Sequence, residues 1–583
     1  MNEVPLRKAG LKSLKKRILV ARRKVPADRV LRRCRVVNVF SGTSQPGDVA
    51  IVEGYIAGVG EGYKGREELD LEGRWVAPGL IDAHMHVEST MMLPSRLAGA
   101  LLPRGTTTLV SDPHEIANVL GIEGIRLLIR DSESTPLDFY FMAPSCVPAT
   151  TLETSGARLE ASDLAQVKGE PRVLGLGEVM NYPGVVEGEE RLLEKVLLFA
   201  EEIIDGHAPG LGGDDLQAYV AAGITSDHET YGLKEGLEKL QSGMMLFIRE
   251  GSSAKNLEEL LPLVKANNSR RFCLVSDDLH PYDLFNRGHL DHILRRAVEW
   301  GLDPFTAIQM ASLNPAEHFG LRGRGAVAPG FHADIIVMDD LESFRVEKVF
   351  KDGVLVAEGG RTVRPPGDVS RGLESRKLNI AKGLSPESFR ISSEGGSIRI
   401  MVLVPDQILT DERIEPPLIK DGWVIPDIER DILKLAVIER HRATGRLGLG
   451  MVRGFGLESG AICSSVSHDS HNVIALGTND LDMFRAVSEV KEMGGGFVVV
   501  KGGKVTGRVQ LEIGGLMSTR GINGLLEQLD RVKTAARSLG CKLEDPFTTL
   551  SFLALPVIPK LKLTDMGLVD VENFTLVPLF VRE

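Results

Sequence analysis

Two histidines one residue apart, His84 and His86, end the short apolar run PGLIDAHMH at residues 78–86. Side chains alternate along a strand, so both imidazoles project to one side. Paired at a strand's C-terminal end, they can grip one divalent cation. A His-x-His pair alone is a cheap pattern. Here Glu178, His207, His228 and Asp277 each end a comparable apolar run downstream.

Six nitrogen and carboxylate ligands without a thiolate suit Zn, Mn or Fe and disfavour a Cys-rich structural zinc site. A single catalytic metal usually takes three protein ligands and water, so six imply two metals sharing a carboxylate. Glu178 is the carboxylate placed to bridge. Water held between two cations ionises near neutral pH and becomes a nucleophile. Asp277, at the edge of the site, has the chemistry to take its proton and pass it to a leaving group. Asp278 should be turned off the metal face by alternation while the strand lasts. Taken singly, His207 also reads as a rim histidine and Glu178 as a core carboxylate paired with an arginine; six ligand types at strand ends together do not. His280, His289, His292, His318 and His332 lack that position and read as structural.

The elements that must carry these residues form one alternating series. The strand candidates are GLIDAHMH, TTTLVSDPHE, LDFYFMAPS, RVLGLGEVM, IIDGHAP, GITSDHE, MMLFIREGS and FCLVSDD, and helical patterns lie between them at 187–203, 214–222, 257–266 and 290–300. Eight strands alternating with helices predict a closed parallel (β/α)8 TIM-like barrel, with catalytic residues at the strands' C-terminal ends. An open doubly wound sheet is the weaker alternative, because no G-x-G-x-x-G turn follows the first strand. Short Gly-punctuated strands before and after the barrel predict one small β domain built from both flanks. The resulting α/β organisation is a basic N-terminal segment at 1–30, a composite β domain at 31–77 and 325–365, a barrel at 78–324 and a C-terminal α+β domain at 375–583. Arg364-Pro365-Pro366-Gly367 reads as a linker. In the last domain, SIRIMVLVP and GFVVVKGGKVTGRVQLEIGG read as strands, and 431–441 and 523–539 as helices.

Composition fits a large globular enzyme: 583 residues, 43% hydrophobic and 26% charged. A net charge of -11 argues against a nucleic-acid groove. The basic cluster from Arg7 to Lys24 precedes no apolar h-region, so an exposed basic helix is expected rather than a secretory signal. No apolar run is long enough to span a bilayer. Five scattered cysteines without a C-x-x-C pair suit a reducing cytoplasm.

The barrel, the flanking β domain and the His-x-His resemble the amidohydrolase superfamily. PGLIDAHMHVEST, GTTTLVSDPHEIANVLG, LGLGEVMNYPGVV, DGHAPGL, AAGITSDHE and SDDLHPYDL, with SHDSHNVIALGTND and LEIGGLMS further on, resemble the bacterial and archaeal adenine deaminases. The resemblance implies hydrolytic deamination of adenine to hypoxanthine and ammonia by a hydroxide activated at two divalent metals, Mn or Fe first and Zn next, in a cytoplasmic, homo-oligomeric enzyme of purine metabolism. It implies that His84, His86 and Asp277 hold one metal and His207 and His228 the other. Glu178 stands where many superfamily members carry a carbamylated lysine. The catalytic set would be Asp277, Glu178 and His228. Glu88, Ser89, Asp112, His114 and Asp278, around the barrel mouth, would face the purine, although Glu88 also reads as a helix cap and His114 as a ligand to a further metal. His468 and His471 read as a pocket cover or a structural turn. The alternatives are an amidohydrolase acting on a cyclic amide or another amino-heterocycle, and a non-catalytic barrel scaffold.

Overall fold

The structure, a computed structural model, describes residues 5–252, 254–363, 378–405 and 407–581. The linker Arg364–Gly367 lies outside these residues. The chain divides into two compact units: Met1–Pro113, Arg126–Ser145 and Glu160–Val369 form the first, and His114–Ile125, Cys146–Leu159 and Ser370–Glu583 the second.

In the first unit all eight strand candidates are strands: β1 Leu80–Met85, β2 Thr106–Ser111, β3 Asp138–Pro144, β4 Val173–Val179, β5 Ile203–Gly206, β6 Ser226–Asp227, β7 Met245–Arg249 and β8 Phe272–Val275. They pair in parallel as a five-stranded sheet, β5-β4-β3-β2-β1, and a three-stranded sheet, β6-β7-β8. The expected closed ladder is therefore not continuous. On one side the sheets meet through a lone parallel bridge, Met85 to Asp277, and on the other through the Thr225 N–H to Ile204 O bond. Strands of two and four residues are too short to extend the ladder across these junctions. Both faces of the strands are buried, as parallel sheets require, and Ile81, Val110, Met142, Phe247, Cys273 and Val275 share one core.

Strand β4 approaches its neighbours closely because of two glycines. A Cβ on Gly175 would lie 1.9 Å from the Ile203 carbonyl oxygen, and one on Gly177 1.9 Å from Asp112 Oδ2. Helix prediction at 187–203 runs too far. The helices there are Tyr182–Glu187 and Glu190–Leu198, after which the chain enters β5. The stretch at 257–266 shrinks to a helix at Leu257–Leu260 and a 3-10 turn holding Pro262.

A nine-stranded sheet lies beside these strands in the same unit. It combines strands between Ala27 and Pro78 with strands between Ile335 and Thr362, and the two flanks meet where Trp75–Pro78 pairs antiparallel with Ile335–Met338. The N-terminal helix, Pro5–Ala21, is less exposed than its charge suggests. Val20 is fully buried, the Arg17 guanidinium lies 3.8 Å over the Tyr55 ring, and Lys16 pairs with Asp28 at 3.0 Å. Its cations are drawn to an aromatic face and to acids on the adjoining strands.

The second unit is built on another nine-stranded sheet, including Ser397–Leu403, Gly496–Lys501 and Lys504–Gln510, with helices Asp480–Met493 and Ile522–Ser538 against it. The predicted helix at 431–441 is instead the strand Ile432–Ile438, paired on both sides with Leu447–Arg453 and Val473–Gly477. A central strand buried on both faces shows no two-residue alternation, so its apolar run has no period that separates it from a helix.

Gly175→Ala forces β4 and β5 apart, because its obstacle is backbone and cannot rotate away. The expected result is a large loss of soluble protein, or a clear fall in melting temperature where protein is recovered. A wild-type melting curve would contradict the close approach.

Candidate active site

The six predicted ligands converge at the C-terminal ends of these strands, all within the first unit. His84 and His86 are brought to one side by the alternation of β1, with ring centroids 4.9 Å apart. Glu178, the penultimate residue of β4, divides its carboxylate between two groups. Oε1 lies 3.3 Å from His84 Nε2 and 3.0 Å from His86 Nε2, while Oε2 lies 3.2 Å from His207 Nδ1 and 3.7 Å from His228 Nε2. Asp277 Oδ1 joins the first group, 3.1 Å from His86 Nε2 and 3.5 Å from His84 Nε2. Asp277 has a left-handed backbone, φ 57°, which aspartate tolerates better than most residues. Its N–H donates to the His84 carbonyl.

Neighbouring side chains hold each ligand in place. Tyr219 donates its hydroxyl proton to the Val179 carbonyl and accepts the His207 N–H, linking the ends of β4 and β5. Asp227, preceding His228, accepts the Ala208 N–H and pairs with the fully buried Lys239 at 3.0 Å. His86 Nδ1 meets the Asp112 carbonyl at 3.0 Å, which leaves Nε2 for the site.

These residues fit divalent cations. Ligands ~2.1 Å from a tetrahedral ion stand about 3.4 Å from one another, matching the spacings around Glu178. His84 Nε2 is buried and makes no hydrogen bond of normal geometry. The sets His84–His86–Glu178, His84–His228–Asp277 and Glu178–His207–His228 each bring ligand atoms within 4.8 Å. The electrostatics agree. Burial opposes charge on His84, yet Asp277 and Glu178 push it up to about 10. Burial opposes charge on Glu178 too, but the charge of His86 and a hydrogen bond from His207 hold it well below the usual carboxylate range. His228 is driven well below its ordinary value by burial and by the charge of His84. In the metal-free protein, protons on His84, His86 and His207 supply positive charge that cations would otherwise bring.

The residues expected to face a substrate are placed unevenly. Ser89 donates to Asp278 Oδ1, and Asp278 groups with His86 and Asp277. Because β8 ends at Val275, strand alternation does not govern Asp278, and the condition for turning it off the metal face is not met. Glu88 is buried in the 3-10 turn Val87–Thr90, and Asp112 is buried after β2. His114 belongs to the second unit, its Nε2 3.6 Å from Glu115 Oε1. There Glu115 also meets His468 Nδ1 at 2.6 Å and His471 Nε2 through its other oxygen. His471 Nδ1 accepts the Ser467 N–H, so its ring proton sits on Nε2 and points at Glu115. Direct hydrogen bonds of this kind make a clasp, unlike the wider spacing around Glu178. Of the histidines read as structural, His289 is fully buried between Thr106 Oγ1 and Asp82 Oδ2.

Sequence reasoning missed Arg249 and Glu229. Arg249 ends β7 as the ligands end theirs, and Glu229 directly follows His228, but attention to metal ligands passed over a cation at the same kind of position.

The amidohydrolase family model matches residues 75–356, and the adenine deaminase C-terminal domain model matches residues 407–575. Strand-end histidines and acids on parallel strands, in a chain matching that first model, define a hydrolase of the amidohydrolase class. The chain is 48% identical over 566 residues to an adenine deaminase of Desulfatibacillum aliphaticivorans, covering 97% of this chain and 99% of that one. It is 49% identical to one from Methanothrix thermoacetophila, with 97% and 99% covered, and 47% identical to adenine deaminase 2 of Carboxydothermus hydrogenoformans, with 98% and 100% covered. The chain belongs to the adenine deaminase family. Among the described residues, no helix is long and apolar enough to cross a membrane.

Two outcomes test the site. A histidine raised from 6.5 to about 10 is protonated at neutral pH, and its stabilising contribution to the metal-free protein is full below ~6.5 and lost as pH rises through 10. A metal must displace that proton, so loading releases protons and tightens as pH rises from 6.5 toward 10. Calorimetric titration with Mn or Zn in buffers of different ionisation enthalpy reads the release; a buffer-independent heat contradicts it. Glu178→Gln keeps the volume but loses the charge facing both histidine groups. Metal retained after gel filtration should fall well below wild type and activity by at least about 100-fold, and full retention would remove Glu178 from the bridging position.

Proposed function

We propose that this protein is an adenine deaminase, converting adenine and water to hypoxanthine and ammonia at a binuclear site held by His84, His86, Glu178, His207, His228 and Asp277. What carries the reading is similarity to adenine deaminases over nearly the whole chain, and the two-sided Glu178 carboxylate supports its binuclear form. We propose further that the five- and three-stranded sheets together make one (β/α)8 barrel, which would explain why ligands from both meet at the same strand ends.

Two divalent cations, Mn or Fe before Zn, would supply a water ionised near neutral pH and an electrophile for the ring. The chain's own residues do the rest. His84, His86 and Asp277 hold one side and His207 and His228 the other, with Glu178 between them. Asp277 Oδ1 takes the proton of the attacking water and returns it to the exocyclic nitrogen at C6, which leaves as ammonia. Burial would raise the Asp277 carboxyl, but the charge of Arg249 keeps it well below the usual range, so it enters the reaction as a base. Glu88, Ser89, Asp112 and Asp278, all of the first unit, are proposed to orient the purine. Ser89 and Asp278 do so as a hydrogen-bonded pair beside His86. Burial of Glu88 and Asp112 excludes water from carboxylates that would otherwise be solvated.

The test is steady-state kcat/KM for adenine, adenosine and cytosine on one metal-loaded preparation, with Asp277→Asn alongside. Adenine should be the preferred substrate, and Asp277→Asn should lower kcat by about 10²–10⁴-fold while the protein stays folded by circular dichroism. A cytosine preference, or a variant within threefold of wild type, would overturn the reading.

A further inference from the structure

The three-stranded sheet carries His228 after β6 and Asp277 after β8, yet its hydrogen-bonded continuity with the five-stranded sheet is thin on both sides. Something other than the backbone ladder must hold these two residues in register with Glu178. Arg249, the last residue of β7, lies on the middle strand, opposite Val275 of β8.

Arg249 is 2% exposed, and all four terminal protons of its guanidinium are engaged. Nη1 donates to Glu229 Oε1 and, at 2.6 Å, to Asp277 Oδ2. Nη2 donates to Glu229 Oε2 at 2.7 Å and to the Tyr231 hydroxyl at 3.0 Å. Glu229 and Tyr231 follow β6, so one planar fork ties the end of the middle strand to the ends of both outer strands. It also occupies Asp277 Oδ2, leaving Oδ1 to face His84 and His86.

We propose that Arg249 is a positioning residue: its fork clamps the C-terminal ends of β6 and β8 and confines Asp277 to one site-facing oxygen. This rests on the binuclear deaminase reading above. A carboxylate released from the clamp is free to turn about χ2, so the oxygen that faces His84 and His86 and carries the proton is no longer held in one place. A displacement of about 1 Å at such a group costs ~100-fold in rate. Lysine cannot replace the fork, since an ammonium has no planar array able to pair bidentately with Glu229 while donating to Asp277 Oδ2.

The experiment uses the full chain with Arg249→Lys, Arg249→Gln and Glu229→Gln, each loaded with Mn for kinetics and with Co(II) for visible spectra. Metal per chain and the Co(II) spectrum are read without substrate. The expected result is a kcat about 100-fold lower in Arg249→Lys and Arg249→Gln, with KM within threefold, and a changed Co(II) spectrum in both. Glu229→Gln, which keeps the Asp277 contact, should lose less than a tenth as much. If Arg249 served only to stabilise the fold, Arg249→Lys would recover both kcat and spectrum at lower melting temperature, and that outcome overturns the proposal. Should Arg249→Gln fail to fold, Arg249→Lys decides by the same two readouts. A wild-type protein that binds no Co(II) or Mn would instead overturn the binuclear reading itself, separating that failure from the failure of the clamp.

Discussion

A carboxylate buried among imidazoles constrains the first unit more than any other contact. Burying the Glu178 charge is costly unless it is compensated, and compensation has to come from two directions because each oxygen faces a different pair of histidines. That requirement fixes where β1, β4, β5 and β6 must end relative to one another. The absence of side chains at Gly175 and Gly177 lets β4 approach the Ile203 carbonyl and the Asp112 carboxylate, so Glu178 arrives between the two groups rather than above them. The histidine–carboxylate cluster and close strand packing thus depend on the same seven residues of β4.

The interrupted sheet explains the density of buried ion pairs around the site. Where β5 and β6 barely pair, Tyr219 and the Asp227–Lys239 contact hold His207 and His228. Where β8 and β1 meet through one bridge, the Asp277 backbone bonds to His84 and its side chain is caught by Arg249. Buried charge pairs are expensive to assemble, but removing one partner is far more destabilising than the pair is stabilising. They therefore suit positions where geometry must be unique.

The two histidine–carboxylate groupings show how spacing separates chemistries that composition leaves alike. Around Glu178 the ligand atoms stand at distances typical of neighbours about a cation. In the second unit Glu115 takes direct hydrogen bonds from His468 and His471, and the Ser467 N–H fixes the tautomer that allows it. The first arrangement would direct lone pairs at a common point once cations replace its protons, whereas the second spends them on direct hydrogen bonds.

The sequence by itself determined the eight parallel strands and the ligand types at their ends, because a buried strand is a contiguous apolar run and its terminus is a local event. His84 and His86 were legible as a pair for the same reason, since two-residue alternation needs no tertiary information. The family resemblance was equally local, carried by words such as GTTTLVSDPHEIANVLG. What the sequence left undecided depended on neighbours distant along the chain. The strand Ile432–Ile438 looked helical because a strand covered on both faces has no periodicity to betray it. The orientation of Asp278 hung on whether the strand continued past Asp277, and only the structure shows β8 ending at Val275. Arg249 was invisible because a lone cation at a strand end has meaning only beside Glu229 and Asp277, 20 residues earlier and 28 later. Pairing of strands and of charges is a property of the folded chain, and only the tertiary structure decided it.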